Sequence, residues 1–189
     1  MKAIIDCGAH QGSIIRYFQK HPSYGSDFQY YAFECNPVLV DKNYGPSVIA
    51  IRKAVWILDG QLKLYMNLNS KMDQGHSVYG DKITGHLDPE HPVTVECIDF
   101  SKWLKETFTA DDYVVIKMNV EGAEYDVLEK CIADGTINLV NELFIRWHIA
   151  KLRSMDRSRH NQLVKDINDI DGLKVSTNYD IIRQRAKYD

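Results

Sequence analysis

The sequence is poor in cysteine and proline, with four and five of them among 189 residues. It also has no apolar run near the roughly 20 residues that a helix needs to cross a bilayer. Its cysteines are scattered, without the short spacings that bind zinc or build a disulfide framework. Met1 is followed by a strand-like stretch instead of a charged segment and a cleavage site. These absences predict a cytoplasmic protein with no export or membrane signal.

A strong excess of charge of either sign is also lacking. The formal net charge is -3 and the isoelectric point is near 6.2, so nothing draws the whole chain to nucleic acid or to a membrane surface. Basic side chains gather in "KLRSMDRSRH", residues 151–160. The plain interpretation is a solvated helix start, and the sharper one is a cradle for an acidic substrate. We expect neither nucleic acid nor membrane as a partner.

Short apolar strands alternate with helical patterns along most of the chain. This alternation predicts an α/β protein with a doubly wound, mostly parallel sheet and helices on both faces. The length and a hydrophobic content of 44% suit one core, so we expect a single domain over residues 1–189. "YVVIKM" is the most strand-like run and should be central. Residues 54–67 resemble a hairpin turning at Asp59 and Gly60, and residues 173–189 a final strand pair.

Residues 70–92 are rich in Gly, Asp, His, Ser and Pro and show little periodicity. A loop of this length in a compact domain is usually functional or mobile, so we expect it to act as a lid that reads the substrate. His76, His86 and His91 lie in or beside this loop, together with several acidic residues. A metal cluster is the less favoured interpretation, because loops gather such residues anyway.

A glycine turn follows the first predicted strand in "AIIDCGAHQG". Gly8 and Gly12 should let backbone N–H groups at the next helix face a ligand. Glu34 ends the second strand 26 residues after Gly8, where a carboxylate can accept both ribose hydroxyls. The G-x-x-x-G spacing lacks the middle glycine of dinucleotide sites, which favours an adenosine ligand without phosphates, such as S-adenosylmethionine. Asp6 would order the turn and the charged end of the cofactor.

Several stretches resemble, in order, the motifs of one enzyme family. They are "IIDCGAHQGS", "YAFECNP", "KAVWILDG", "VTVECIDFSKWL" and above all "VIKMNVEGAEYDVLEK", and the likeness runs as far as "ELFIRWH". The chain is similar to the FkbM family of S-adenosylmethionine-dependent methyltransferases. The resemblance implies the Rossmann-like class I methyltransferase fold, S-adenosylmethionine as cofactor, and O-methylation of a small-molecule or carbohydrate acceptor.

The resemblance also implies which residues contact the cofactor. Glu34 would bind the ribose, Ala54 and Val55 would line the adenine, and Asn119 would close the pocket from the central strand. The full set of implied cofactor residues is Asp6, Gly8, Ala9, His10, Gly12, Glu34, Ala54, Val55 and Asn119. Within it, we expect His10 to set the shape of the turn.

Three positions depart from the family pattern. Asn119 stands where the family usually has an aspartate, Cys35 where it often has a proline, and Arg146 where it often has an acid. An amide is a poor metal ligand on its own and takes no proton near neutral pH. Asn119 therefore argues against metal-assisted or aspartate-based catalysis.

His148 is the first candidate for a catalytic base, because it lies at the carboxyl end of a predicted strand. Lys117 and Glu121 are candidate groups for orienting the acceptor. The plain alternatives are a satisfied histidine at the rim of the core, a lysine paired with Glu121 or Glu124, and acids that stabilise a helix N-terminus.

Two other functions stay open. The changes to Asn119 and Arg146 fit a non-catalytic module that keeps the fold and binds S-adenosylmethionine. A nicotinamide-dependent oxidoreductase is disfavoured by the glycine spacing. A homo-oligomer, in which a second subunit replaces the lid helices that larger methyltransferases carry before the first strand, is a further alternative.

Overall fold

A computed structural model describes residues 1–39 and 42–177, and its largest element is a sheet of six strands. The strands are β1 (Lys2–Cys7), β2 (Gln29–Phe33), β3 (Val48–Ile51), β7 (Tyr113–Met118), β8 (Glu142–Ile145) and β9 (Lys174–Ser176). Their order is β3-β2-β1-β7-β8-β9, and every neighbouring pair is parallel. The chain winds outward from β1 in one direction and then from β7 in the other. The strand order therefore reverses between β1 and β7, where ligands of open α/β sheets bind.

Helices cover both faces of this sheet, because alternate residues of each strand point to opposite sides. The helices are α1 (Ser13–Lys20), α2 (Phe100–Thr107), α3 (Glu124–Ala133) and α4 (Arg157–Asn168). On one face Ile4 and Val115 pack with Phe18 of α1. On the other face, side chains such as Ile5 pack with α2, α3 and α4. The predicted fold class, a Rossmann-like α/β architecture of the class I methyltransferase type, is confirmed.

A second, smaller sheet corrects the expected hairpin. Its strands are β4 (Ala54–Trp56), β5 (Gly60–Leu64) and β6 (Val93–Asp99), in the order β4-β6-β5. Cys97 of β6 is in register with Ala54 on one side and with Gly60 on the other. The turn at Asp59 and Gly60 does connect β4 to β5, but β6 lies between the two strands, so they form no hairpin.

The described residues contain one strand of the predicted tail pair. This strand, β9, runs parallel to β8. The rest of the predicted ribbon falls on residues 178–189, which lie outside the described residues. Within the described part of the chain, no helix is both long enough and apolar enough to span a bilayer. All four cysteines are free thiols.

Candidate active site

A cavity of about 530 Å³ opens at the carboxyl ends of β1, β2, β7 and β8. Its volume lies within the range of ligand pockets, and it lies at the point where the strand order reverses. The opposite wall comes from β4 and from residues 65–92, which we call the lid segment. This segment contains the loop that the sequence predicts over residues 70–92.

Gly8 shapes the turn after β1. It has a φ of +77°, and a Cβ atom there would lie 2.3 Å from the backbone oxygen of Asn119. The N–H groups of Gly8 and Ala9 both donate to the carbonyl of Phe33, at 3.0 and 2.9 Å. These two N–H groups are thus bonded to the neighbouring strand β2. The expectation concerned the N–H groups at the start of α1, where Ser13 and Ile14 line the cavity, and it stays a prediction.

Glu34 joins the first turn to the end of β2. One carboxylate oxygen accepts the N–H of His10 at 2.7 Å, and the other accepts the N–H of Asn36 at 2.8 Å. A carboxylate has about four acceptor positions, so each oxygen can take a further donor. Glu34 also lines the cavity. It is thus held in place by the backbone and able to bind a pair of hydroxyl groups.

Seven of the nine predicted cofactor residues line the cavity. They are Gly8, Ala9, His10, Glu34, Ala54, Val55 and Asn119. This grouping was predicted, although Gly8 and Asn119 are 111 positions apart in the chain. Parallel strands bring their carboxyl ends to one edge of the sheet, which explains it.

Gly12 and Asp6 do not line the cavity and lie behind its wall. Gly12 begins α1 with a φ of +76°, and a Cβ atom there would lie 2.7 Å from the ring of Tyr44. The Tyr44 hydroxyl in turn donates to the carbonyl of His10 at 2.7 Å. Asp6 is fully buried in β1. Both residues support the turn, which is part of the role expected for Asp6, and their contact with the cofactor stays a prediction.

Lys117 forms a buried ion pair with Asp6. Its Nζ atom lies 2.6 Å from Asp6 Oδ1, and both side chains are at most 2% exposed. The same ammonium group donates to the carbonyl of Gly8 at 2.8 Å. The alternative of a structurally paired lysine thus has Asp6 as the partner, since the register of β1 and β7 places Asp6 directly opposite Lys117.

Glu121 projects to the cavity from the turn between β7 and α3, with a φ of +53°. It therefore precedes α3, whereas the sequence predicted it within the first turn of that helix. Its Oε2 lies 2.8 Å from Lys82 Nζ and 3.1 Å from Lys151 Nζ, and its Oε1 lies 3.5 Å from His148 Nε2. Burial acts to raise the pKa of Glu121, but His148 and Lys82 outweigh burial and hold the pKa well below its usual range. Glu121 is thus an ionised group and a weak base.

His148 is fully buried and does not line the cavity. Its Nδ1 lies 2.9 Å from Glu124 Oε1, and the same oxygen accepts the backbone N–H of His148 at 2.9 Å. Burial acts to lower the pKa of His148, but the neighbouring carboxylates of Glu121 and Glu124 prevail and raise it. A buried imidazole with a raised pKa, away from the cavity, fits poorly with the expected base. The position suits a residue that holds Glu121.

The lid segment is fastened to both sides of the cavity. Ser77 Oγ donates to the backbone carbonyl of Glu121 at 2.9 Å. On the other side, His10 Nε2 donates to the carbonyl of Met72 at 2.7 Å. His10 is therefore a shape-setting residue, and the segment forms an ordered wall over the sheet.

His76 and Lys82 of the lid segment line the cavity and were not singled out from the sequence as cavity residues. His76 Nδ1 accepts the N–H of Asn67 at 2.8 Å, so the ring proton resides on Nε2. That Nε2 is buried and has no hydrogen-bond partner within the described residues, and burial lowers the pKa of His76. The ring is thus a neutral donor at the cavity wall. The described residues contain no group of three or more metal-binding side chains, in this segment or elsewhere.

The basic stretch at residues 151–160 contributes little to the cavity. Arg159 is paired on α3, with Asp126 at 2.8 Å and Glu129 at 2.7 Å. Lys151 is the member that lines the cavity, where it contacts Glu121. The alternative of a cradle for an acidic substrate is therefore limited to one lysine of this stretch.

The sheet order, the glycine turn after β1 and the acid after β2 are consistent with a Rossmann-like class I methyltransferase domain. The family model for the methyltransferase FkbM domain matches residues 6–172, and the chain belongs to this family of methyltransferases. No protein of curated function and no solved structure matches the chain. The oxidoreductase alternative is thereby set aside, in agreement with the glycine spacing.

Proposed function

We propose that the cavity binds S-adenosylmethionine and that the protein transfers its methyl group to a hydroxyl oxygen of a small molecule or a sugar. The observation that carries the proposal is the Glu34 carboxylate, which two backbone N–H groups hold at the cavity wall. The two ribose hydroxyls would take the remaining acceptor positions. We also place the protein in the cytoplasm, which its four free cysteines favour.

The rest of the cofactor follows from this anchor. Ala54 and Val55 are both nearly buried and line the same cavity, so they offer an apolar wall for the adenine. The methionine end would lie over Gly8, since a side chain there would block the approach. The methyl group would then face the carboxyl end of β7, where Asn119 lies.

Positioning would supply most of the catalysis. Methyl transfer from a sulfonium needs the acceptor oxygen in line with the methyl group, and the lid segment would hold it there and exclude water. Glu121 would orient the acceptor by accepting a hydrogen bond from its hydroxyl group. The oxygen forms a bond to the methyl carbon as the carbon–sulfur bond breaks. The products are S-adenosylhomocysteine, the methyl ether and a proton released to solvent.

The test is the affinity for S-adenosylmethionine, measured by calorimetry on the wild-type protein and on Glu34→Gln. The amide keeps the size but loses the charge, so affinity should fall about 10- to 150-fold, as for charge-assisted hydrogen bonds of roughly 1.5–3 kcal/mol. Glu106→Gln is the matched control, because that side chain is exposed and does not line the cavity. Equal affinity of all three proteins would refute the cofactor assignment.

A second measurement separates an enzyme from a binding module. Transfer of the labelled methyl group from S-adenosylmethionine to a hydroxylated acceptor supports catalysis. Binding without transfer to any hydroxylated acceptor would favour the module, which the departures at Asn119 and Arg146 would then explain. Whether a second copy of the chain completes the lid is tested in the same samples by the mass of the protein in solution.

A further inference from the structure

The cavity is lined by five lysine and arginine side chains, and four of them are paired with carboxylates. The pairs are Lys53 with Glu96, Lys82 with Glu121, Lys117 with Asp6 and Lys151 with Glu121. The fifth is Arg146, whose guanidinium group has no ion pair or hydrogen bond within residues 1–39 and 42–177. Arg146 is half-buried, so water solvates its charge only in part.

The position of Arg146 follows from the strand register. Ile145 of β8 is in register with Met118 of β7, and the N–H of Arg146 donates to the carbonyl of Met118 at 3.0 Å. The next residues along the two strands, Arg146 and Asn119, are therefore neighbours at the sheet edge, about 4.8 Å apart across the strands. Arg146 lies two positions after Phe144, and Asn119 two positions after Lys117, so both lie on the same face of the sheet as Phe144 and Lys117.

Asn119 adds a second unfilled position. Its Oδ1 atom is buried and has no hydrogen-bond partner among the described residues. A buried acceptor of this kind is costly unless a donor reaches it. The sheet edge thus presents one unpaired positive charge beside one unpaired hydrogen-bond acceptor, and both residues line the cavity.

We propose that the methyl acceptor carries an anionic group, a carboxylate or a phosphate, which Arg146 binds, and a nearby hydroxyl group that donates to Asn119. This inference rests on the proposed function. The planar guanidinium group matches the two oxygens of either anion, and partial burial strengthens the contact. The four lysines of the cavity are less available for this role, because each is already paired with a carboxylate, Lys82 and Lys151 with the same one.

The cofactor also has a carboxylate, and the fold argues against its binding to Arg146. The glycine turn follows β1, and β7 lies between β1 and β8. Arg146 is thus two strand spacings, about 10 Å, from the turn over which the methionine end is placed. The acceptor must approach the methyl group from the side away from this turn, and Arg146 lies on that side.

The experiment uses the protein saturated with S-adenosylhomocysteine and follows added probes by calorimetry. The probes are inorganic phosphate, glucose 6-phosphate, glucuronate and the neutral methyl glucoside. Wild type is compared with Arg146→Gln and with Arg153→Gln, a control that removes the same charge from an exposed residue outside the cavity. We expect one or more anions to bind wild type and Arg153→Gln at least about tenfold more tightly than Arg146→Gln. The phosphate and carboxylate arms identify the anion.

The inference is overturned if no anion binds wild type, if Arg146→Gln binds the anions equally well, or if methyl glucoside binds wild type as tightly as they do. A tenfold loss of affinity for S-adenosylmethionine in Arg146→Gln would assign the residue to the cofactor and also overturn it. Failure of the proposed function is distinct, since the wild-type protein would then not bind S-adenosylmethionine. The anions would in that case be titrated into the cofactor-free protein, with the same variants and the same criteria.

Discussion

The ammonium group of Lys117 lies 2.6 Å from the carboxylate of Asp6 and joins the two central strands beneath the glycine turn. Because Lys117 also donates to the carbonyl of Gly8, this pair supports the floor of the cavity. A buried pair is worth little relative to two apolar side chains, but the loss of one partner leaves an uncompensated charge.

We therefore expect Lys117→Met to lower the free energy of unfolding by about 3–5 kcal/mol. The double variant Asp6→Asn with Lys117→Met should regain part of this loss, because it removes the stranded charge. Urea denaturation at neutral pH measures both. A cost below about 1 kcal/mol for the single variant would mean that water reaches Asp6.

Gly8 and Gly135 form a matched pair for separating backbone strain from crowding. Their φ angles are +77° and +72°, but a Cβ atom meets the Asn119 oxygen at 2.3 Å in the first case and nothing within 4 Å in the second. Gly135→Ala should cost about 1–2 kcal/mol from conformation alone. Gly8→Ala should cost at least about 2 kcal/mol more or prevent folding. Equal costs in thermal denaturation would show that the turn relaxes away from Asn119.

Lys82 fastens the lid segment to Glu121, and its side chain is 1% exposed. Burial lowers the pKa of Lys82 despite the neighbouring Glu121. Tyr65 and Ser77 each donate the backbone N–H to the carbonyl of the other. In Lys82→Met we expect these two N–H groups to exchange hydrogen at least about tenfold faster. Lys102→Met is the control, since Lys102 is exposed and pairs with Asp59 outside the lid segment. Unchanged protection would show that other contacts hold the lid.

The charge on His148 should give stability a definite pH dependence. Its pKa is raised in the folded protein, so the folded state retains a proton that the unfolded state releases above about pH 6.5. The stability that His148 contributes, relative to His148→Gln, is therefore complete below about pH 6.5 and declines as the pH rises through the folded pKa.

His160 provides a control of opposite sign, because burial lowers its pKa. The difference between wild type and His160→Gln should grow as the pH rises through about 6.5. Urea titrations at a series of pH values measure both differences. A difference for His148→Gln that rises with pH would show that the imidazole is neutral, and would restore it as a candidate base.

The sequence predicted those elements whose signal is local. "YVVIKM" forms the strand β7 and lies at the centre of the sheet, as its apolar character predicts. The parallel topology then explains why Glu34 and Asn119 meet at one cavity. Local periodicity and the rule for parallel sheets thus suffice for the fold and for most of the cavity wall.

The partners of polar side chains could not be predicted in this way. Pairing of Asp6 with Lys117 depends on the register of two strands that are distant in the chain, which no local pattern records. His148 looked accessible because it follows β8, but the acids Glu121 and Glu124 enclose it. The hairpin failed for a similar reason, since β6, far along the chain, lies between β4 and β5.

The long separation between the two central strands also bears on how the chain folds as it is made. Lys117 follows Cys7 by 110 residues, so at about 5–20 residues per second it emerges from a ribosome roughly 5–20 s later. Until then β1 can pair with β2 but has an open edge and a carboxylate, Asp6, with no counter-ion. The early chain is thus in the state most exposed to wrong strand pairing. Arrival of β7 closes this edge, neutralises Asp6 and completes the glycine turn in a single event.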